Sequence, residues 1–142
     1  MSQYFGNDIR ICLRHALAMR NLTERQFAKM TNTSYSSITR YTSGATCPKN
    51  DTIQRLAGCL GLKPYHLLGH PNPDDPTDSI GFRMRNARRN AGMTVPELAA
   101  KTEATAYEID RCENNRELIG YRHFKQVANA LGVSVPYLLF GQ

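Results

Sequence analysis

Four side chains of metal-ligating type fall within 24 residues: Cys47, Cys59, His66 and His70, the two histidines one helical turn apart. Zinc sites bring their cysteines as a close pair, and here eleven residues separate them, so no metal is expected. His15 and His123 stand apart from any nucleophile or carboxylate arrangement, and no catalytic constellation is present. An enzyme and a cofactor are therefore not expected. A different chemistry is offered by Tyr35-Ser36-Ser37-Ile38-Thr39-Arg40-Tyr41, which carries hydroxyls and one guanidinium but no acid. A guanidinium can donate a bidentate pair to guanine, and hydroxyls can bond bases or phosphates.

The elements that must position these groups belong to a chain of 142 residues with net charge +6 and pI about 9.4. At 41% hydrophobic it is too apolar for a disordered chain. No window approaches the ~20 apolar residues of a membrane helix, and MSQYFGNDIR does not read as a secretory signal. Four widely spaced cysteines (Cys12, Cys47, Cys59, Cys112) read as reduced thiols in a cytoplasmic protein. The charge is unevenly placed. Residues 1–71 hold nine Lys/Arg against three Asp/Glu, whereas residues 72–142 hold nine of each.

Shifted by 71 residues, 9–69 aligns with 80–140 without a gap, and thirteen positions are identical, where chance gives about four. Between the copies lies a segment with three prolines and three aspartates, unsuited to a helix or strand interior. It reads as a semi-extended linker over 70–78, able to span about 30 Å at ~3.1 Å per residue. The spacing predicts domains over 1–69 and 79–142, each of five helices. Helix one covers about 8–20 and 79–91. Helix two opens on the capping boxes Thr23-x-x-Gln26 and Thr94-x-x-Glu97. Helix three is capped by Ser34 and Thr105 and closed by left-handed residues at Gly44 and Asn115. Helix four stops at Gly61 and Gly132, and a fifth holds Leu67-Leu68 and Leu138-Leu139. The few residues between helices two and three give a helix-turn-helix, a geometry found both in DNA readers and in proteins that never touch DNA.

The ordered set of residues resembles the lambda Cro and repressor type of helix-turn-helix protein, the XRE family. The second copy carries Met84-x-x-Ala87-Arg88, Gly92-Met93-Thr94, Glu97-Leu98-Ala99, Ile109-x-Arg111-x-Glu113 and Leu131-Gly132-Val133-Ser134. In the first copy the matching residues are Leu13-x-x-Ala16, Leu22-Thr23, Phe27-Ala28, Ser34-x-x-x-Ile38, Ser43-Gly44 and Leu60-Gly61-Leu62. The resemblance implies an all-α chain of two tandem five-helix lambda-repressor-like bundles. It also implies a bacterial or phage transcriptional regulator that binds a double-stranded DNA operator as a homodimer. Its base-reading positions fall on Tyr35, Ser36 and Arg40, with Thr39 close by, and its phosphate-holding positions on Ser34, Ser43, Thr46 and Lys49. The corresponding residues of the second copy, Thr105, Ala106, Tyr107 and Arg111, form a secondary set.

Two departures from the family pattern carry information. A glutamine commonly follows the residue that opens helix two, and Glu24 and Val95 stand there instead. The family pairs an Arg of helix one with a Glu ending helix three; Arg88 and Glu113 keep that pair, whereas Leu17 and Thr42 replace both partners. Arg83, Arg85 and Arg89 read as a solvated face. Glu108 and Asp110 would oppose phosphates, so the second copy is expected to support the first by protein contact, weak DNA contact or self-association. No oligomerisation segment is expected after it. The alternative from another class is a protein-interaction module, such as an antitoxin or antirepressor, favoured by the charge-neutral second copy with Tyr107, Tyr121 and Phe140.

Overall fold

The computed structural model describes residues 9–141; the expected helical start at residue 8 and the outer ends of both domains lie outside them. Among the described residues the chain is all-helical, with ten helices and no strand beyond an isolated bridge. They fall into two compact units that divide at Gly69/His70.

The first unit holds α1 (Ile9–Met19), α2 (Glu24–Met30), α3 (Tyr35–Ser43), α4 (Asn50–Leu60) and α5 (Pro64–Leu68). Apolar residues at three- and four-residue spacing give α1 one buried face, carrying Ile9, Cys12, Leu13, Ala16 and Leu17. That face packs on α3 and α5, and Phe27, Ile38, Leu56 and Leu67 of the other four helices are fully buried in the same unit. Capping fixes where α2 begins: Gln26 N–H donates to Thr23 Oγ1 at 3.0 Å, and Thr23 N–H donates to Gln26 Oε1 at 2.9 Å. The α2–α3 turn runs through left-handed Asn32 and is held from α4, where Arg55 donates to Thr31 O at 3.0 Å and to Thr33 Oγ1 at 3.1 Å. Arg20 similarly ties α1 to α4, donating to Ala16 O and Leu60 O. Two of the first unit's cations thus donate to backbone carbonyls of other elements.

The second unit holds α6 (Ile80–Asn90), α7 (Val95–Ala100), α8 (Ala106–Glu113), α9 (Tyr121–Leu131) and α10 (Val135–Phe140). Each of these helices begins 71 residues after its counterpart. Polar ties differ while the frame is kept. At the position of Arg55 stands Gln126, which accepts Glu103 N–H at 2.8 Å and so holds the α7–α8 turn. Arg88 makes a two-toothed ion pair with buried Glu113, at 2.7 and 3.0 Å, and also donates to Met93 O at 2.8 Å. In the first unit Leu17 and Thr42 occupy those places, both buried, and the Thr42 hydroxyl donates to the Glu24 carboxylate of α2.

A glycine also changes sides between the units. In the first, left-handed Gly44 ends α3, with the Arg10 stem against it. In the second, Asn115 takes the left-handed place, and Gly81 stands where Arg10 does. Asn115 Oδ1 accepts the Gly81 N–H at 2.9 Å. A Cβ on Gly81 would press into the carbonyl oxygens of Cys112 and Glu113, so the close approach of α6 to α8 needs glycine there.

Two sequence expectations are corrected here. Arg83 is not part of a solvated face: it is buried, donating to Leu138 O and Leu139 O at 2.9 Å and pairing with Asp78 at 2.8 Å. Arg85 is only half-exposed and reaches Asn114 Oδ1 at 3.0 Å and the Glu113 carboxylate at 3.5 Å. Nor is 70–78 extended. Asn72 N–H bonds Asp78 O at 2.9 Å and its side-chain amide bonds the Asp78 carboxylate, folding the segment into turns. Pro73 and Pro76 fit because proline pre-sets the φ that turns require. The segment belongs to the second unit, tied there through Asp78 and Arg83.

Glu113→Thr alone should destabilise the second unit by about 3–5 kcal/mol, because Arg88 is left in its protein surroundings without its carboxylate. Adding Arg88→Leu, the pair the first unit uses, should recover most of that loss in thermal melts of the whole chain. A pH difference between the units is also expected. Glu97 and Glu108 are held below the usual carboxylate range by the capping N–H groups of Thr94 and Thr105, and Glu103 by Gln126 and then Arg122. Their stabilisation is complete above the unfolded value of about 4.3 and is lost as pH falls through the lower folded values. The first unit's box uses Gln26, which does not titrate. Residue-resolved amide exchange between pH 6 and 3 should show α7 and α8 losing protection before α2 and α3.

Candidate nucleic-acid interface

Ile38 and Thr42 are buried and fix how α3 is turned, leaving Tyr35, Ser36, Arg40 and Ser43 exposed with Thr39 and Tyr41 half-buried. Ser36 and Arg40 are four residues apart and Arg40 and Ser43 three, so they share one face. Of the residues expected from sequence, Ser36, Arg40 and Ser43 thus lie on one exposed face of α3, and Tyr35 and Thr39 follow one another at four-residue spacing beside it. Among the described residues Arg40 makes no ion pair or side-chain hydrogen bond, which leaves its guanidinium available for an outside acceptor.

The hydroxyls are less simple. Ser34 is the N-cap of α3, accepting Ser37 N–H at 3.2 Å and donating to Ser37 Oγ at 2.8 Å. Thr39 donates to Ser36 O at 2.9 Å, and Ser43 to Arg40 O at 3.2 Å. With their protons turned into the helix, Thr39 and Ser43 face outward as acceptors, suited to the amino groups of bases. Contact with a phosphate needs each proton to swing away from its carbonyl. Thr46 and Lys49 are exposed beyond the end of α3, Lys49 at the N-cap of α4 with no side-chain bond to that helix.

Sequence reasoning missed the part of α2 in this surface. Arg25 and Lys29 are exposed, and the Arg25 guanidinium lies over the Tyr35 ring, 4.2 Å from its centroid. A cation in the first turn of helix two is the signal that could have found it, since that turn lies beside the start of helix three in a helix-turn-helix. The acids nearby are engaged: Glu24 takes the Thr42 hydroxyl, and Asp51 Oδ1 accepts Thr52 N–H at 2.9 Å.

On α8 the corresponding face is neutralised from within. Thr105 is its N-cap, in a capping box with Glu108, whose carboxylate also meets His123 at 3.3 Å. Ala106 and Tyr107 are exposed, the latter at 67%. Arg111 pairs with Glu117 at 2.9 Å and sits over the Tyr107 ring at 5.5 Å. Glu117 and Gly120 occupy the places of Thr46 and Lys49, so an acid and a missing side chain replace two expected phosphate contacts. Arg122 is paired too, with Glu103 at 2.9 Å.

The metal-ligating side chains do not gather. Cys47 and Cys59 are exposed, His66 Nδ1 accepts the Lys63 N–H at 3.2 Å, and no group of three His, Cys, Asp or Glu converges among the described residues. Cys12 and Cys112 lie in the two cores. No helix among the described residues is long and apolar enough to cross a membrane.

No solved structure matches the chain. Residues 13–67, from within α1 to within α5, match the model of the helix-turn-helix family HTH_3, and the match falls within the first unit.

Proposed function

We propose that this chain is a sequence-specific double-stranded DNA-binding regulator of the repressor type, acting in the cytoplasm, with α3 of the first unit in the major groove. The observation that carries the reading is the acid-free outer face of α3 with Arg40 exposed on it, in a unit that also exposes Arg25 and Lys29 on α2 and Lys49 at the start of α4. Such a face meets both requirements of specific binding: cations for the phosphates and directed donors and acceptors for base edges. Arg40 donates to guanine; Tyr35, Ser36 and Thr39 meet neighbouring bases; Ser34, Ser43, Thr46 and Lys49 lie along the backbone. The protein binds as a homodimer on a pseudo-palindromic operator, with half-sites one helical turn apart. A monomer mass in sedimentation at DNA-binding concentrations would count against that last point.

The second unit is read as the supporting one, through protein contact. Its recognition-helix cation is paired to Glu117, and its most exposed aromatic, Tyr107, stands on the same face. That arrangement also favours a second reading, in which the chain acts chiefly by binding a partner protein, as an antitoxin or antirepressor does. Salt separates the two. Binding through phosphates falls steeply as salt rises, and a protein interface of neutral pairs does not.

Selection of sites from random duplex DNA should return a defined sequence. Arg40→Ala should cost about 1–3 kcal/mol and relax one base position, whereas Arg111→Ala should leave the selected sequence unchanged. Lys49→Ala should weaken all sequences alike and lower the slope of log affinity against log salt by about one. Loss of selectivity in Arg111→Ala alone would reverse the ranking of the units.

A further inference from the structure

The contact between Arg25 and Tyr35 joins α2 to α3 outside the core, at the exposed edge of the interface. Tyr35 is the first residue of α3 and 41% exposed, a position where a side chain ordinarily samples more than one rotamer. A guanidinium over the ring face restrains it, through charge–quadrupole attraction and planar stacking that an ammonium does not reproduce. In the second unit Pro96 and Ala106 stand at the corresponding positions, so the device belongs to the first unit alone.

Resting on the reading of α3 as the base-reading helix, we propose that Arg25 is a positioning residue for Tyr35. It holds the ring in one orientation and so sets the base preference where that ring meets the duplex. The ring offers an apolar surface suited to a thymine methyl, and its hydroxyl can bond a base edge or a phosphate. Fixing it turns a mobile contact, tolerant of several bases, into one that selects. Arg25 also carries charge near the phosphates, so its removal has two separable effects: a uniform loss of affinity with a smaller salt slope, and a loss of preference at the base position that Tyr35 reads.

The test uses the whole chain and its Arg25→Ala, Arg25→Lys, Tyr35→Ala and Arg25→Ala/Tyr35→Ala variants in site selection from random duplex DNA. Arg25→Ala should broaden the same base position as Tyr35→Ala, with preference there reduced about 2–10-fold. Arg25→Lys should keep the salt slope and yet broaden that position. The double variant should be no broader there than Tyr35→Ala, because the two residues act through one contact. In the DNA-free protein, side-chain scalar couplings of Tyr35 should report one χ1 rotamer in the wild type and averaging in Arg25→Ala. A uniform affinity loss with the Tyr35-dependent preference intact would overturn the proposal, as would couplings that do not change. If the wild type selects no sequence, the reading of α3 fails and this role falls with it, while the couplings still report whether the stack exists.

Discussion

The turn between the second and third helices of each unit is the constraint on which the candidate interface depends. Only a few residues join the two helices, so their relative angle follows from the backbone of that turn. A turn this short leaves polar backbone groups that the helices do not satisfy. In the first unit a side chain from α4 meets that need at Thr31 O and Thr33, and in the second a side chain from α9 meets it at Glu103 N–H. Arginine supplies donors to a carbonyl, and glutamine supplies an acceptor to an amide. The fourth helix thereby sets how the third is presented, although it contributes no base-reading side chain.

Around that common frame the polar chemistry diverges in a way that tracks charge. The first unit fastens its helices with arginine-to-carbonyl bonds and a hydroxyl-to-carboxylate bond, which consume few charges in pairs. The second fastens itself with ion pairs: Arg83 with Asp78, Arg88 with Glu113, Arg111 with Glu117 and Arg122 with Glu103. Four of the nine acids in the second half are thus taken up by pairs within that unit, two of them, Asp78 and Glu113, with arginines that are largely buried. The excess of the first half is left on its surface.

Local signals made the helices legible in the sequence. Hydroxyl caps, capping boxes, left-handed closing residues and apolar spacing all act within a few residues, and they place the starts of the second and third helices of both units. The faces of α3 and α8 follow from the same periodicity. Long-range partners were not legible. Arg83 reads as one more exposed cation of an arginine-rich helix because the carbonyls it serves lie 55 and 56 residues away. The proline-rich segment reads as extended because Asn72 and Asp78 only reveal their pairing once the chain has turned. Arg25 escaped notice for a related reason: its partner is an aromatic ring on another helix, and no spacing rule joins them.

The displaced glycine sets a limit on exchange between the two halves of the chain. Gly44 with Arg10, and Asn115 with Gly81, are matched sets, each shaped to its own crossing of first and third helices. A recombination event that spliced α1 onto residues 91–141 would bring an arginine Cβ against the carbonyl oxygens that end α8. It would also remove the N–H to Asn115 from its present setting and leave Glu113 facing Leu17 in place of Arg88. The halves share register and helix order, yet the hybrid would be sterically and electrostatically frustrated. Each half must therefore keep its own first and third helices as a set, whatever side chains its outer surface carries.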